Sequence, residues 1–383
     1  MTYDFIIIGA GIAGASAAYE LSKAGSVLLL EREARPGYHT TGRSAAFFTL
    51  NYGNTLIRSL TAASRDFLFA PPAIFGDAPL LEPRPTVTIA RADQAASFAA
   101  NLAAGLASPG DIAEIDIAEA EAMIPVLRPG YAARAHIERD SYFMDVDLIH
   151  GGFLRGFAAH GGRLATDAEV IGLARQNGTW RVETRAGRFE APVVINAAGA
   201  WADQIAALAG ARPVGIEPRR RTVIVFAAPE NVSVDSMPLV IDADEQFYFK
   251  PEAGKILASP ADETPSPPCD AQPEEIDIAL IADRLARAST LEIRHIEHKG
   301  AGLRSFAPDR SPVVGADPSL VGFVWLAGQG GYGIMTSPAM SRAAAALATG
   351  GAWPEYLGDR GIEAAALAPG RPGLAQCTLA DRQ

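Results

Sequence analysis

The chain has 383 residues, 49% hydrophobic and 20% charged, with a formal net charge of −11. This balance excludes a disordered chain and is long enough for two structural units. The acidic total argues against nucleic acid or anionic membrane as a main partner, and two cysteines, Cys269 and Cys377, make neither a disulfide framework nor a metal cluster.

Residues 3–8, YDFIII, are an apolar strand signal. Gly9-Ala10-Gly11-Ile12-Ala13-Gly14 follows, then a small-residue helix over 11–24 and a second apolar strand over 26–30 ending at Glu31. Strand, glycine turn, helix, strand and acid in this order make a dinucleotide-binding fingerprint. Gly9 permits the tight turn, Gly11 lets the backbone approach a pyrophosphate, and Gly14 lets the helix lie close on the sheet. The first helical turn, with Ile12 and Ala13, offers free N–H groups and positive dipole to phosphate. Glu31, with Arg32 beside it, is placed to accept hydrogen bonds from an adenosine ribose. The fingerprint alone does not separate NAD from FAD. The apolar run Phe5 to Ile8 is too short for a leader or a membrane span, and no later stretch is long and apolar enough to span. With the sparse cysteines, this predicts a cytoplasmic protein.

Residues 31–53 are rich in Gly, Ser and Thr and read as loop. A helix is predicted over 54–70, broken by Pro71 and Pro72. A strand at Thr86 to Ala90 and helices near 93–106, 117–123 and 146–160 follow. Arg163 to Val170 reads as a strand entry, and residues 180–190 as a small β-meander. Val193 to Asn196 is an apolar strand entering Ala197-Ala198-Gly199, a second close-approach turn. Long strands are predicted over 220–228 and 238–258, with turn signals at Asp242 to Gln246 and Glu252 to Gly254, then a Pro-rich loop over 260–273 and an amphipathic helix over 274–288. Near the end, a buried strand at 322–327 enters the glycine turn 328–333. Thr336, Ser337 and Pro338 open a helix over 338–347, and residues 360–383 are expected to pack loosely. His295 and His298 fall on opposite faces of a strand-like run, which argues against a metal site. In Arg219 to Arg221, strand alternation sends Arg220 away from its neighbours.

Five stretches, PGYHTTGRSAA (36–46), NAAGAW (196–201), FYFKP (247–251), GLRSF (302–306) and QGGYGIMTS (329–337), occur in this order. On them the chain resembles the D-amino acid oxidase/glycine oxidase superfamily of FAD enzymes, most closely the bacterial D-arginine dehydrogenase type. The resemblance implies an α/β and β-rich architecture: a Rossmann-type FAD-binding domain in discontinuous segments, 1–82, 145–213 and 308–383, with an inserted antiparallel-sheet substrate domain, 83–144 and 214–307. It implies that Arg43, Ser44 and Ala45 line the flavin and that Val170 meets the adenine side. Gly331, Tyr332, Gly333, Ile334 and Thr336 would meet the pyrimidine edge, and Ala46, Ala198, Gly199, Gly302 and Gly330 complete the cofactor set. Neither cysteine lies in a flavin-attachment motif, so the FAD is expected to be non-covalent.

The implied reaction is oxidative deamination of a free D-amino acid by hydride transfer from Cα to flavin N5. Water then converts the imino acid to a 2-keto acid and ammonia. Arg304 and Arg221 match carboxylate-binding arginines, whose planar fork donates two parallel hydrogen bonds. Tyr52 and Tyr248 match hydroxyls that touch or cover the substrate, and the Gly331 carbonyl would accept the amine. The implied side-chain pocket comprises Phe47, Thr49, Thr86 and Met335. Here the chain departs from the D-arginine pattern: Thr86 replaces an acid after PRP, Phe47 a histidine, and Met335 a glutamine. These changes remove polarity and negative charge, so neutral, apolar D-amino acids are expected over basic ones. The same clamp would serve a secondary amine of sarcosine or proline type, or a 2-hydroxy acid. A flavin-binding protein without turnover is the other alternative. The partner is a small-molecule substrate, and the sequence leaves the electron acceptor open between quinone, dye and dioxygen.

Overall fold

The computed structural model describes residues 1–374; Cys377 and the rest of 375–383 lie outside the described residues. Phe5–Ile8 and Val27–Leu30 are buried at every position and pair in parallel. Unbroken apolar runs are what a sheet covered on both faces requires. Between them runs the helix Ile12–Leu21, three residues shorter at its end than expected, with Gly14, Ala15, Ala17 and Ala18 all buried. The sheet has six strands, ordered Val313–Ala316, Phe323–Ala327, Val193–Asn196, Phe5–Ile8, Val27–Leu30 and Arg163–Ala165. Only the Val313–Ala316 pairing is antiparallel. Phe5–Ile8 and Val193–Asn196 are direct neighbours, so their glycine turns emerge side by side. Such adjacent strand ends in an α/β sheet are where nucleotides bind.

A second sheet has ten strands, drawn from Thr86–Ala90, Ile112–Ile115, Arg134–Glu138 and the region from Glu217 to Gly330. Its longest pair is Glu217–Ala227 against Ile296–Phe306. Alternation divides the sheet into two faces. Val87, Ile89, Ala135, Ile137, Ile224, Val240 and Phe249 pack under the helix Glu275–Ala288, whose Ile281, Leu285 and Ala288 are buried against them. The opposite face carries Thr86, Thr88, His136, Glu138, Tyr248 and Arg221 and looks into a cavity. The expected antiparallel sheet contains one parallel pairing, Leu239–Asp242 with Thr86–Ala90.

The stretch 238–258 divides at its two expected turns into three strands, Leu239–Asp242, Tyr248–Glu252 and Lys255–Ser259. Positive φ at Glu245 (53°), Ala253 (49°) and Gly254 (76°) turns the chain between them. Three other expectations need correction. The last long helix runs Gly333–Ala348, five residues earlier than predicted, with Pro338 inside. Proline lacks the N–H that would reach the Ile334 carbonyl; the Ser337 hydroxyl donates to that carbonyl instead, at 2.8 Å. The segment from 360 does not pack loosely as far as residue 374: Ile362, Leu367 and Leu374 are buried. Arg371 there donates from Nε and Nη2 to Asp309, at 2.8 and 2.9 Å. Phe47–Phe48, expected as loop, is a short strand against Tyr142–Phe143.

Candidate active site

Two cavities meet where the sheets face each other, sharing Gly11, Thr40, Thr41, Ala197, Gly199 and Ala200 in their walls. The smaller is lined by Gly9, Glu31, Arg32, Val170, Ala198 and Trp201. Its glycines are fixed by close backbone approach. At Gly9 (φ 100°) a Cβ would lie 2.6 Å from the Ala197 carbonyl oxygen, and at Gly14 it would lie 1.8 Å from that of Gly9. Glu31 accepts the Ala10 and Glu33 amides at 2.9 and 3.0 Å. Burial raises its carboxyl above the usual carboxylate range against those bonds. The Arg32 guanidinium lies 4.8 Å from the Trp201 ring centre.

Sequence reasoning missed two groups at this turn. Thr41 Oγ1 accepts the Ile12 amide at 3.0 Å, and His150 Nε2 is 3.0 Å from the Ala10 carbonyl oxygen. Their only sequence signal is position in a polar loop and on a helix start, which does not say that they fold back onto the glycines.

The larger cavity, about 280 Å³, carries Ile12, Ala13, Arg43, Ser44, Ala45 and Ala46 near the shared wall, with Gly302, Gly330, Gly331, Gly333 and Ile334. Arg43 is engaged elsewhere at its charged end, donating to the Ala271 and Ala301 carbonyls at 2.9 and 3.1 Å and pairing with Asp270. Tyr332, Met335 and Thr336 are absent from the lining, which corrects the expectation for the Met335 side chain; the contact expected of Tyr332 and Thr336 is through backbone N–H groups at the helix start. Thr336 is fully buried and donates to the Tyr332 carbonyl at 2.8 Å, while Tyr332 and Met335 pack into a core cluster with Phe48 and Ile57. The early helix start explains this, because it turns these three side chains back onto the helix and its neighbours.

Farther in, the sheet face presents the expected clamp. Arg304 Nη1 donates to the Tyr52 hydroxyl at 2.8 Å. Gly331 packs so closely on that guanidinium that a Cβ would lie 2.8 Å from Arg304 Cζ. Tyr248 lines the same cavity. Arg221 also lines it, but its Nε donates to the Asp262 carbonyl at 2.8 Å and its Nη2 lies 3.3 Å from Glu263. Part of its fork is therefore already used. Arg220 points to the helix-covered side, as alternation required, and pairs with Asp277 and Glu274.

Phe47, Thr49 and Thr86 line this cavity together with two residues the sequence reading did not single out, His136 and Glu138. Thr86 sits opposite Glu138 and Thr88 opposite His136 across one strand pair. Glu138 is 4% exposed and accepts Thr49 Oγ1 at 2.6 Å and the Leu50 amide at 3.0 Å. Burial pushes its carboxyl up to about 7, against those bonds. Burial likewise pushes His136 down to about 4, so its imidazole is neutral. Neither of its ring nitrogens has a hydrogen-bond partner among the described residues. The change after PRP therefore does not leave the cavity without an acidic residue: Glu138 lines it from a neighbouring strand. The alternation in Arg134–Glu138, RAHIE, could have revealed it.

A nucleotide-binding turn joined by one cleft to an arginine- and tyrosine-lined sheet face defines a dinucleotide-dependent oxidoreductase site. The chain belongs to the DAO family, FAD dependent oxidoreductase, whose model matches residues 4–347. Its cofactor is FAD, and the close-packed glycines suit that group, as does the buried Gln329 Nε2, which lines the cavity without a partner among the described residues. The chain is 26% identical to the "Uncharacterized oxidoreductase YurR" of Bacillus subtilis (strain 168), over 91% of this chain and 95% of that one. Its fold matches glycine oxidase from Geobacillus kaustophilus with a TM-score of 0.83 at 19% identity, covering 98% and 99% of the two chains. It matches L-proline dehydrogenase from P. horikoshii with a TM-score of 0.81 at 20% identity, covering 96% and 97%. No helix among the described residues is long and apolar enough to cross a membrane.

Proposed function

We propose that the protein oxidises a free α-amino acid of D configuration at the carbon bearing the amine, with non-covalent FAD. The observation that carries the reading is Arg304, held by Tyr52 in a cleft continuous with the dinucleotide turn. An arginine fork with open donors there suits a substrate carboxylate. We assign the acceptor of the α-amine to the carbonyl of Gly331, a residue packed beside the same guanidinium. Bound FAD supplies the two-electron acceptor. The chain's residues fix the carboxylate, hold the amine beside the cavity wall and limit water. Loss of the Cα hydrogen with its electron pair and of an amine proton leaves an imino acid, which water converts to a 2-keto acid and ammonia. We assign residues 1–82, 145–213 and 308–383 to the cofactor half and 83–144 and 214–307 to the substrate half. Gln329–Gly330 crosses that division by pairing with Ser305–Phe306. The D configuration, and the likeness to the D-arginine dehydrogenase type, rest on the motifs around residues 36–46 and 302–337. The preference for apolar side chains is set aside, because Met335 lies outside the cavity and Glu138 lies within it.

A second reading, oxidation of a secondary amine acid, is favoured by the likeness to L-proline dehydrogenase. Anaerobic mixing with D- and L-amino acids, sarcosine, proline and 2-hydroxy acids, followed by flavin bleaching at about 450 nm, separates the two. Bleaching by D-amino acids first supports the proposal. Bleaching by proline or sarcosine first supports the second reading, and bleaching by L-amino acids first overturns the D assignment.

A further inference from the structure

The clamp around Arg304 accounts for one end of the larger cavity and leaves the other end unexplained. That end is polar, buried and assembled from three chain segments. Thr86 and Thr88 come from one strand, His136 and Glu138 from the next, and Thr49 from the loop that also carries Tyr52. A protein interior pairs its buried polar groups, and each exception needs a reason. His136 is 2% exposed, yet both its ring nitrogens lack partners among the described residues. The Phe98 ring lies 5.3 Å away between centres, and Thr88 and Glu114 sit opposite it on the flanking strands. Glu138 has no cation within ion-pair distance among the described residues.

The other acids on this wall are accounted for differently. Asp242 takes two hydrogen bonds from Gln94 Nε2, both at 2.9 Å, and faces Arg91 at 3.5 Å. Glu245 is exposed, in the turn after Leu239–Asp242. Among the titratable groups on this wall, Glu138 and His136 combine burial of the whole side chain with unused hydrogen-bonding capacity. A buried carboxyl without a cationic partner and an unpartnered imidazole cost stability, which a binding role explains.

We propose that Glu138 and His136 form a specificity subsite for the far end of the substrate, and that this end carries an N–H donor head. The inference rests on the amino-acid reading above. Glu138 Oε1 and Oε2 each keep a lone pair beyond the bonds from Leu50 and Thr49, and neutral His136 adds one acceptor nitrogen and one N–H. The set is richer in acceptors than in donors. It holds no cation to receive a carboxylate or phosphate, and an alkyl chain would leave it unpaired. An ammonium, a guanidinium or a carboxamide shares the required chemistry. Thr49 and Tyr52, which touch Glu138 and Arg304 respectively, are three residues apart. Their Cα atoms therefore lie within about 11 Å, a span suited to a single amino acid gripped at both ends.

The test compares substrates of similar length in anaerobic flavin reduction by the FAD-loaded enzyme: norleucine and methionine as alkyl ends, lysine and arginine as cationic ends, glutamine as the amide end, each as D and L forms. The expected result is that one N–H class exceeds the alkyl class at least ten-fold in kcat/KM. In E138Q and, separately, H136F, that ratio falls by about ten-fold or more. E138Q losing only the cationic substrates identifies an ammonium or guanidinium head, and loss confined to glutamine in H136F identifies the amide. Alkyl substrates reducing the flavin faster than every N–H substrate, or a ratio unchanged in both variants, overturns the subsite while leaving the enzyme class standing. If no amino acid reduces the flavin at all, the amino-acid reading fails and the subsite with it. Thermal melts and the flavin spectrum of each variant separate loss of fold from loss of recognition.

Discussion

Arg304 and Gly331 are in contact where the strand Gln329–Gly330 ends beside Ile296–Phe306: the guanidinium lies where a side chain at 331 would be. The clamp therefore has its position set from both sides, by the glycine turn behind it and by the Tyr52 hydroxyl at 2.8 Å. Glycine is required at 331 by space rather than by φ, since its backbone is not left-handed.

G331A should disturb the clamp without touching the dinucleotide turn. Overpacking of this kind costs about 1–3 kcal/mol, and kcat/KM should fall roughly ten-fold or more while the protein stays yellow. Flavin content and steady-state kinetics on the best substrate check this. Loss of flavin together with activity would mean that Gly331 serves the cofactor instead.

R304K keeps the charge and removes the fork. A hydrogen bond to a charged group is worth about 1.5–3 kcal/mol, so kcat/KM should drop by roughly 10- to 150-fold, mostly through KM. Y52F should show a smaller loss, and the double variant should be less than additive, because the two residues share one hydrogen bond. Additive losses would show that Tyr52 and Arg304 act separately.

G14A should abolish FAD retention. Its Cβ would fall 1.8 Å from the Gly9 carbonyl oxygen, which forces the glycine turn open. G358A, with no atom within 4 Å of the new methyl, is the control and should purify with full flavin. Flavin absorbance per polypeptide reads both outcomes.

Glu138 makes stability depend on pH in an unusual direction for a carboxylate. Its folded value of about 7 lies above the ordinary value of 4.5, so the folded state holds the proton more tightly. That contribution is fully present below the unfolded value, is lost as pH rises through 7, and does not change further above it. E138Q should accordingly raise Tm at pH 8, by an amount worth on the order of 1–3 kcal/mol, and change it little near pH 4. A Tm gain equal at both pH values would trace to packing rather than to the proton.

How far the sequence could be read depended on the kind of signal. The glycine turn at 9–14, the strand at 86–90 and the helix at 275–288 were legible because their cues are local: spacing, alternation and an amphipathic period. Arg304, Tyr52 and Tyr248 were legible through motifs, and they do share one cavity. Glu138 and His136 carried one weak local cue, the alternation of RAHIE that puts them on one strand face, and nothing in it shows that this face is buried or that the partners of Glu138 come from residues 49 and 50. Met335 misled for a related reason. A proline normally opens a helix at its first turn, and here the helix begins five residues before it, which rotates Met335 into the core.

The stretch from Thr49 to Tyr52 joins a fixed point on one strand to a fixed point on another. Strand register is set by hydrogen bonds and resists small changes, whereas loops tolerate insertion and deletion. Exchanging residues 136 or 138 would thus rewrite the chemistry recognised at the far end, but the admissible reach of a substrate is a matter of loop length. A shortened or extended connection there would act as a caliper reset, and an engineer seeking longer or shorter substrates should count residues between 49 and 52 before changing any of the side chains on the sheet.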